Sequence, residues 1–408
     1  MKGMEIAQSL KIRRNEKGWI VPSQSGHGAY LVHNEGTETK CDCPDCESRG
    51  VKCKHQWAVE YFVKLETDVQ GNMTTTKGMK ITYTQDWSAY NKAQTSEISL
   101  FDKLLGDLVK IVPEPPRREG AGRPRLSLQE AIFCAVEKVY SQLSSRRACS
   151  LYGKAKERGD IGKSPCYNVV NILLNREDIT PILHELLSVS ALPLRSVETT
   201  FATDSSGFST SQFGQYAIEK YGGETRKHRW VKAHILVGTK TNVIASARIT
   251  KEQGGDCIQF APMVMEAHDN GFDIKEIVAD MGYSSRANYN LAENIGATAY
   301  IPFRSNATGK SRGSYVWKKM YHFFQFNREE FMQHYHQRSN VESAFKMVKM
   351  KFGDKLKSKN FVAQHNELLC KFIAHNIVVL IHEMFELGIN PNFCSQSPMS
   401  ANKLGGDL

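Results

Sequence analysis

The run Tyr335-His-Gln-Arg338-Ser-Asn-Val-Glu342-Ser-Ala-Phe-Lys-Met-Val-Lys349 contains neither Pro nor Gly, and Gly353 offers the first stop after it. It therefore reads as one helix continuing through Phe352. At about 100° per residue, Tyr335, Arg338, Glu342 and Lys349 fall within an arc of roughly 60°. One face thus presents an aromatic hydroxyl, two cations and a carboxylate. A solvated helix scatters its charges or pairs them at i,i+4. Here Arg338 and Lys349 flank Glu342 with positive charge in excess, so the face reads as unpaired and seeking an anion, or a metal ion that brings phosphate.

The charge elsewhere points the same way. The net charge is +10 over 408 residues, concentrated in two blocks: thirteen Lys or Arg against four Asp or Glu from Arg304 to Asn360, and ten against four from Arg117 to Arg158. Such blocks suit a polyanion, although basic faces also serve solubility alone. The length calls for two or three domains, and 41% hydrophobic residues suffice for packed cores. Ten cysteines behind an N-terminus without an apolar leader imply a reducing, intracellular setting, read as cytoplasmic and nucleoid-associated. The most apolar run, Phe372 to Ile381, reads as too short to span a bilayer, so no membrane partner is expected.

The chain divides on this reading into a module at 1–69, a linker and helix at 70–116, a helical region at 117–196, an α/β domain at 197–388 and a tail at 389–408. In the first, Trp19-Ile-Val and Ala29-Tyr-Leu-Val read as strands of a small sheet. Next come Cys41-Asp-Cys43-Pro-Asp-Cys46 and Cys53-Lys-His55, then a helical pattern from Gln56 to Leu65. Cysteines at i and i+2 on an extended segment face one side, and a Cys-x-His pair opening a helix can close a tetrahedron from the other. One structural Zn²⁺ is the expected occupant. The arrangement resembles the SWIM zinc finger over about residues 15 to 68, with Cys41, Cys43, Cys53 and His55 matching its four ligands and Cys46 as an extra thiol. SWIM modules are associated with both DNA and protein partners.

Residues 66 to 85 read as a linker, followed by a helix ending near Val109. Gly122-Arg123-Pro-Arg125 resembles the core of an AT-hook, which implies a minor-groove role for Arg123 and Arg125; a basic Pro-rich linker fits the same residues. Ser127 caps a helix to Tyr140, Ser144 or Ser145 begins another to Arg158, and Ser164-Pro165 opens a third to Leu174. Three short helices fit an all-α helix-turn-helix-like DNA-binding region, with Arg146, Arg147, Lys154, Lys156 and Arg158 meeting phosphates. The alternative is a helical subdomain with a solvated basic face.

From Val197 the pattern is three strands, helix, strand, helix, strand and then the Tyr335 helix, a mixed α/β domain. Two strands end in aspartate, Asp204 before Ser-Ser-Gly and Asp280 before Met-Gly-Tyr283. Alone each reads as a turn cap. With Glu342 on a phosphate-seeking helix face, the three carboxylates can converge on a pair of Mg²⁺ ions.

Tyr335, Arg338, Glu342 and Lys349 match without a gap the Y-R-E-K signature of insertion-sequence DDE transposases, and Asp280-Met-Gly-Tyr283 is similar to their second-aspartate motif. The resemblance spans about residues 197 to 385. It implies a ribonuclease-H-like fold of mixed sheet and flanking helices, with Asp204, Asp280 and Glu342 as catalytic ligands of two Mg²⁺ (or Mn²⁺) ions. It also implies Tyr335, Arg338 and Lys349 on terminal phosphates, double-stranded DNA as partner (inverted-repeat ends and target), and a homodimer on DNA. The expected function is cleavage and strand transfer; a catalytically idle DNA-binding protein and a nuclease without strand transfer are the alternatives. The segment Phe303 to Asn327, rich in aromatics, reads as a strand packed into the core or as a platform for a displaced base. His375 reads as a packed or DNA-proximal helper.

Overall fold

A computed structural model describes residues 12–15, 17–23, 28–35, 38–44, 46, 52–67, 73–77, 86–115, 126–210, 230–252 and 254–393. The chain forms two compact units, Met1–Gln85 and Asp86–Leu408.

In the first unit, β1 (Arg13–Asn15), β2 (Gly18–Pro22), β3 (Ala29–Glu35) and β4 (Glu38–Cys41) form an antiparallel sheet in chain order. Gly18 is required at its turn: its φ is +151°, and a Cβ there would lie 2.4 Å from the Val32 carbonyl oxygen. Helix α1 (Lys54–Phe62) buries Ala58 and Val59 with Val21 and Val32. It stops at Phe62 rather than Leu65. Val63–Thr67 (β5) and Met73–Lys77 (β6) pair as a hairpin where a linker was expected.

The second unit is built on one hydrophobic core running from Ala93 to Phe393. Its leading helix α2 (Trp87–Val109) is capped by Asp86, whose carboxylate accepts from the Ser88 and Ala89 amides. Helices α3 (Leu128–Tyr140), α4 (Ser145–Arg158), α5 (Tyr167–Leu174) and α6 (Thr180–Ala191) follow. Ser127 caps α3 through Glu130, and Gly159, at φ +85°, ends α4. Asn171 of α5 accepts from Lys138 Nζ at 3.0 Å and Ser145 Oγ at 2.9 Å, joining α3, α4 and α5.

The sheet contains β7 (Thr200–Ser209), β8 (Trp230–Gly238), β9 (Ile244–Lys251), β10 (Glu276–Ala279) and β11 (Thr298–Tyr300), ordered β11-β10-β7-β8-β9. The meander β7-β8-β9 is antiparallel, while β10 and β11 run parallel to β7. Helices α7 (Asp256–Asp269) and α8 (Arg286–Asn294) make the crossovers. Buried Glu198 caps the β8–β9 turn, accepting from the Thr241 amide at 2.6 Å and its hydroxyl at 2.7 Å.

Two expectations fail here. Phe303 to Asn327 holds no strand: Ser314 caps α9 (Tyr315–Phe326), which buries Val316, Trp317, Met320 and Phe324 at helical spacing. The Tyr335 helix is also interrupted. Helix α10 (Arg328–Tyr335) gives way to a 3-10 turn at His336–Arg338 before α11 (Ser339–Phe352).

The last helix, α12 (Phe361–Glu386), has 26 residues and is apolar enough by length and composition to cross a membrane, correcting the shorter span read from sequence. Its apolar window is 83% buried within the protein, as the central core helix. Asn376 on it replaces a missing strand neighbour. It accepts from the Ile244 amide at 2.9 Å and donates to the Ile244 carbonyl at 2.9 Å and to Ser190 Oγ at 2.9 Å. His375 is packed in the core, with Nε2 at 2.9 Å from the Asn242 carbonyl.

Candidate metal centres and cleft

The cysteine cluster is assembled by β4, the turn after it and the start of α1. Cys41 and Cys43 come from one side, and Cys53 and His55 from the other. Their ligand atoms all lie within 4.8 Å of one another, and all four residues are buried. His55 presents Nδ1, 3.8 Å from Cys41 Sγ and 3.9 Å from Cys53 Sγ, spacings that suit the edges of a tetrahedral zinc site. Burial pushes the Cys41 and Cys53 thiols up, so holding them as thiolates needs a cation among them. Cys46 stands outside the set, with Sγ 3.3 Å from Gln56 Oε1. Gln56, overlooked in the sequence, accepts from the Cys53 amide at 2.8 Å and donates to the Thr39 carbonyl. It thereby ties the second ligand pair to β4.

The second site follows from strand register. Parallel pairing sets Ala279 beside Thr203, so one position further Asp280, just past the end of β10, stands beside Asp204. Asp204 itself lies in the middle of β7, which runs on to Ser209 paired with β8 rather than ending at the aspartate as expected. Glu342 reaches the same place from the first turn of α11. An open cleft of about 420 Å³ is lined by Asp204, Ser206, Glu342, Lys346 and Lys349, with Phe345 and Met350 as its apolar wall. Neither Ser206 nor Lys346 was singled out in the sequence; their position behind Asp204 and beside Glu342 is the signal that could have found them.

The charges in this cleft are paired, contrary to the sequence reading. Arg338 Nη1 lies 2.7 Å from Asp204 Oδ2, and Nη2 bonds Glu342 Oε1 as an i,i+4 pair. Burial pushes the Asp204 carboxyl up; the Ser205 amide and Arg338 oppose that, and the charges of Asp280 and Glu342 add to it. Lys349 bonds Ser206 Oγ at 2.7 Å and lies over the Phe208 ring, and burial lowers its ammonium. Tyr335 is partly buried beside Arg338, its hydroxyl pushed up by burial. Three carboxylates with mutual repulsion and hard oxygen donors are a set that suits Mg²⁺ or Mn²⁺. Among the described residues, though, only the cysteine cluster draws three or more ligands within 4.8 Å.

Elsewhere the placement varies. Arg146 and Arg147 are exposed on α4, Arg146 over the Tyr167 ring at 5.2 Å. Arg158 is turned instead toward Asp102 at 2.9 Å and Asp160 at 2.7 Å, in the wall of a larger hollow of about 730 Å³ between α2 and α3. The expectation that it meets phosphate gives way to this internal pairing. Arg123 and Arg125 lie outside the described residues.

The model of the transposase DDE domain matches residues 195–377, and that of the SWIM zinc finger matches residues 30–64. The chain thus carries a transposase DDE domain behind an N-terminal SWIM zinc finger. A solved piggyBac transposase synaptic complex with hairpin DNA is similar at 12% identity over 78% of this chain and 83% of that chain. Its TM-score of 0.29 is too low to carry an argument.

Proposed function

We propose that this protein is a DNA transposase that binds the ends of its own element and catalyses divalent-metal-dependent strand cleavage and strand transfer. The observation that carries the reading is the β7–β10 register, which sets Asp204 and Asp280 side by side while Glu342 enters the same cleft beside two lysines. The strand order β11-β10-β7-β8-β9 with helices as crossovers supports a ribonuclease-H-like catalytic domain at 197–388. Asp204, Asp280 and Glu342 would hold Mg²⁺ or Mn²⁺. Bound there, such ions supply activation of an attacking hydroxyl and neutralise charge on the leaving oxygen of a phosphodiester.

The chain's own groups do the rest. Lys349 and Lys346 hold the phosphate backbone against the cleft, Tyr335 and Arg338 orient the terminal phosphates in the manner of the Y-R-E-K signature, and Phe345 with Met350 excludes water from one side. Arg146 and Arg147 in the helical region at 117–196 would add phosphate contacts that position the duplex, and Arg123 and Arg125 would add minor-groove contacts. Zn²⁺ at Cys41, Cys43, Cys53 and His55 would hold the module at 1–69 folded. Of the segment 70–116 expected to link it to the helices, α2 belongs to the core of the second unit, and that core runs on through Phe393 into the expected tail at 389–408. Pairing of two element ends calls for a homodimer on DNA.

The test places the DNA flanking this gene on a plasmid with purified protein and Mg²⁺. Discrete 3′-hydroxyl ends and joined products, both absent with Glu342→Gln, are expected. Specific binding without cleavage by either protein would favour the catalytically idle reading, and ends without joined products would favour a nuclease.

A further inference from the structure

We propose that Arg338 is an internal counter-ion that closes the carboxylate site in the DNA-free protein, so that divalent-ion binding and DNA binding are coupled through this one side chain. The inference rests on the carboxylate-site reading above and deepens it. Its basis is a split guanidinium. One nitrogen serves Asp204 on a strand, and the other serves Glu342 on a helix. A planar fork with two outer nitrogens holds two carboxylates in one fixed geometry, which a lysine ammonium, with its rotatable donors on one atom, matches less well.

The guanidinium stays charged at any working pH, so it leaves the site only by moving. Its neighbour is tied to the sheet. Arg338 ends the 3-10 turn between α10 and α11, and the preceding Gln337 accepts from Thr239 Oγ1 at 3.2 Å on the β8–β9 turn. The side chain therefore swings on a tethered base. Its freedom to do so follows from solvation: the Arg338, Asp204 and Glu342 side chains are 23%, 22% and 58% exposed. Ion pairs that retain this much water are weak enough to exchange partners.

A divalent ion and this guanidinium want the same carboxylate oxygens and compete for them. Phosphate at the cleft, where Lys346 and Lys349 already attract it, offers the guanidinium a second anion of fitting geometry. DNA that draws Arg338 away leaves the carboxylates to the metal, and by linkage bound metal then strengthens DNA binding by the same factor. A free protein kept in this way holds divalent ions weakly and does not hydrolyse DNA indiscriminately.

The test uses the full-length, zinc-saturated chain and counts free Mn²⁺ by electron paramagnetic resonance, with no reaction involved. Arg338→Gln is expected to bind Mn²⁺ about tenfold more tightly than the natural protein, and Arg338→Lys to fall between them, which also covers a failure of the first variant to fold. Adding Asp204→Asn should abolish the gain. A duplex carrying the element end should tighten Mn²⁺ binding to the natural protein by a similar factor and leave Arg338→Gln almost unchanged. Equal affinities in the natural protein and the Arg338 variants, all sensitive to Asp204→Asn, would overturn the counter-ion role while the carboxylate site stands. Absence of any Asp204-dependent Mn²⁺ binding, with or without DNA, would overturn both.

Discussion

At the N-terminal cluster, Cys41, Cys43, Cys53 and His55 are buried and bring their ligand atoms within 4.8 Å of one another, whereas in the cleft Asp204 and Glu342 keep contact with water and share a guanidinium. The first arrangement, buried and compact, suits a site whose metal maintains a fold. The second is open on the cleft and pairs its carboxylates with a guanidinium, an arrangement that, on the function proposed above, would let a metal meet a substrate. The surroundings differ in the same sense. The finger's small core consists largely of the ligands themselves with Ile12, Val21, Val32, Ala58 and Val59, while the cleft rests on the long core around α12.

Metal removal should separate the two most sharply. Chelating Zn²⁺, or Cys53→Ser, is expected to unfold the finger module, because binding energy at such a site is folding energy on the order of 10 kcal/mol. Circular dichroism and limited proteolysis should show its loss while the second unit melts at its usual temperature. Co-melting of both units would break the contrast. Replacing Asp204 by Asn should do the reverse, lowering cleavage by at least about 10³-fold without loss of melting temperature.

Smaller effects probe what holds the cleft up. Asn376→Ala leaves the buried Ile244 amide and carbonyl without their side-chain partner and should cost about 2–3 kcal/mol in denaturant unfolding of the second unit. The finger should be indifferent. Acid should act on both regions by different routes. In the second unit, burial lowers His375 from 6.5 to about 4. A depressed histidine favours the neutral form in the folded state, so its contribution is complete above pH 6.5 and is lost as pH falls from 6.5 toward 4, by about 2–3 kcal/mol. His375→Gln should make that part of the stability profile less steep, the rest of the slope coming from His184, His234 and His365, which burial lowers to about 4 likewise. The finger should instead release zinc over the acid range as its ligands protonate, and added zinc should oppose the loss. Smallest of all, Arg146→Ala and Arg147→Ala should each reduce the salt slope of DNA binding by about one and weaken all sequences alike.

What could be read from the chain was local. The Ser127 cap put α3 within a residue of its observed ends, and the helix expected to close near Val109 does close there. The zinc ligands were legible because all four lie within fifteen residues, Cys41 to His55. The aromatic segment was misread because Tyr, Trp and Phe are common in strands, yet its buried positions repeat at three and four, and Ser314 caps it. The partner of Arg338 was missed for a different reason. Asp204 lies 134 residues away, and only the β7 register brings it there, just as only register brings Asp280 to Asp204. Asn376 likewise has no local signal, since the groups it satisfies belong to β9 and α6.

The central claim is that Asp204 and Asp280 are ligands of one divalent site that acts on DNA. Sulfur substitution tests it most directly: Asp204→Cys and Asp280→Cys are prepared and cleavage of the flanking DNA is measured in Mg²⁺ and in Mn²⁺. Both variants are expected to be inactive in Mg²⁺, which thiolates hold poorly, and to regain cleavage in Mn²⁺, which accepts them. Unchanged cleavage in Mg²⁺ by either variant would contradict the assignment of that aspartate to the metal.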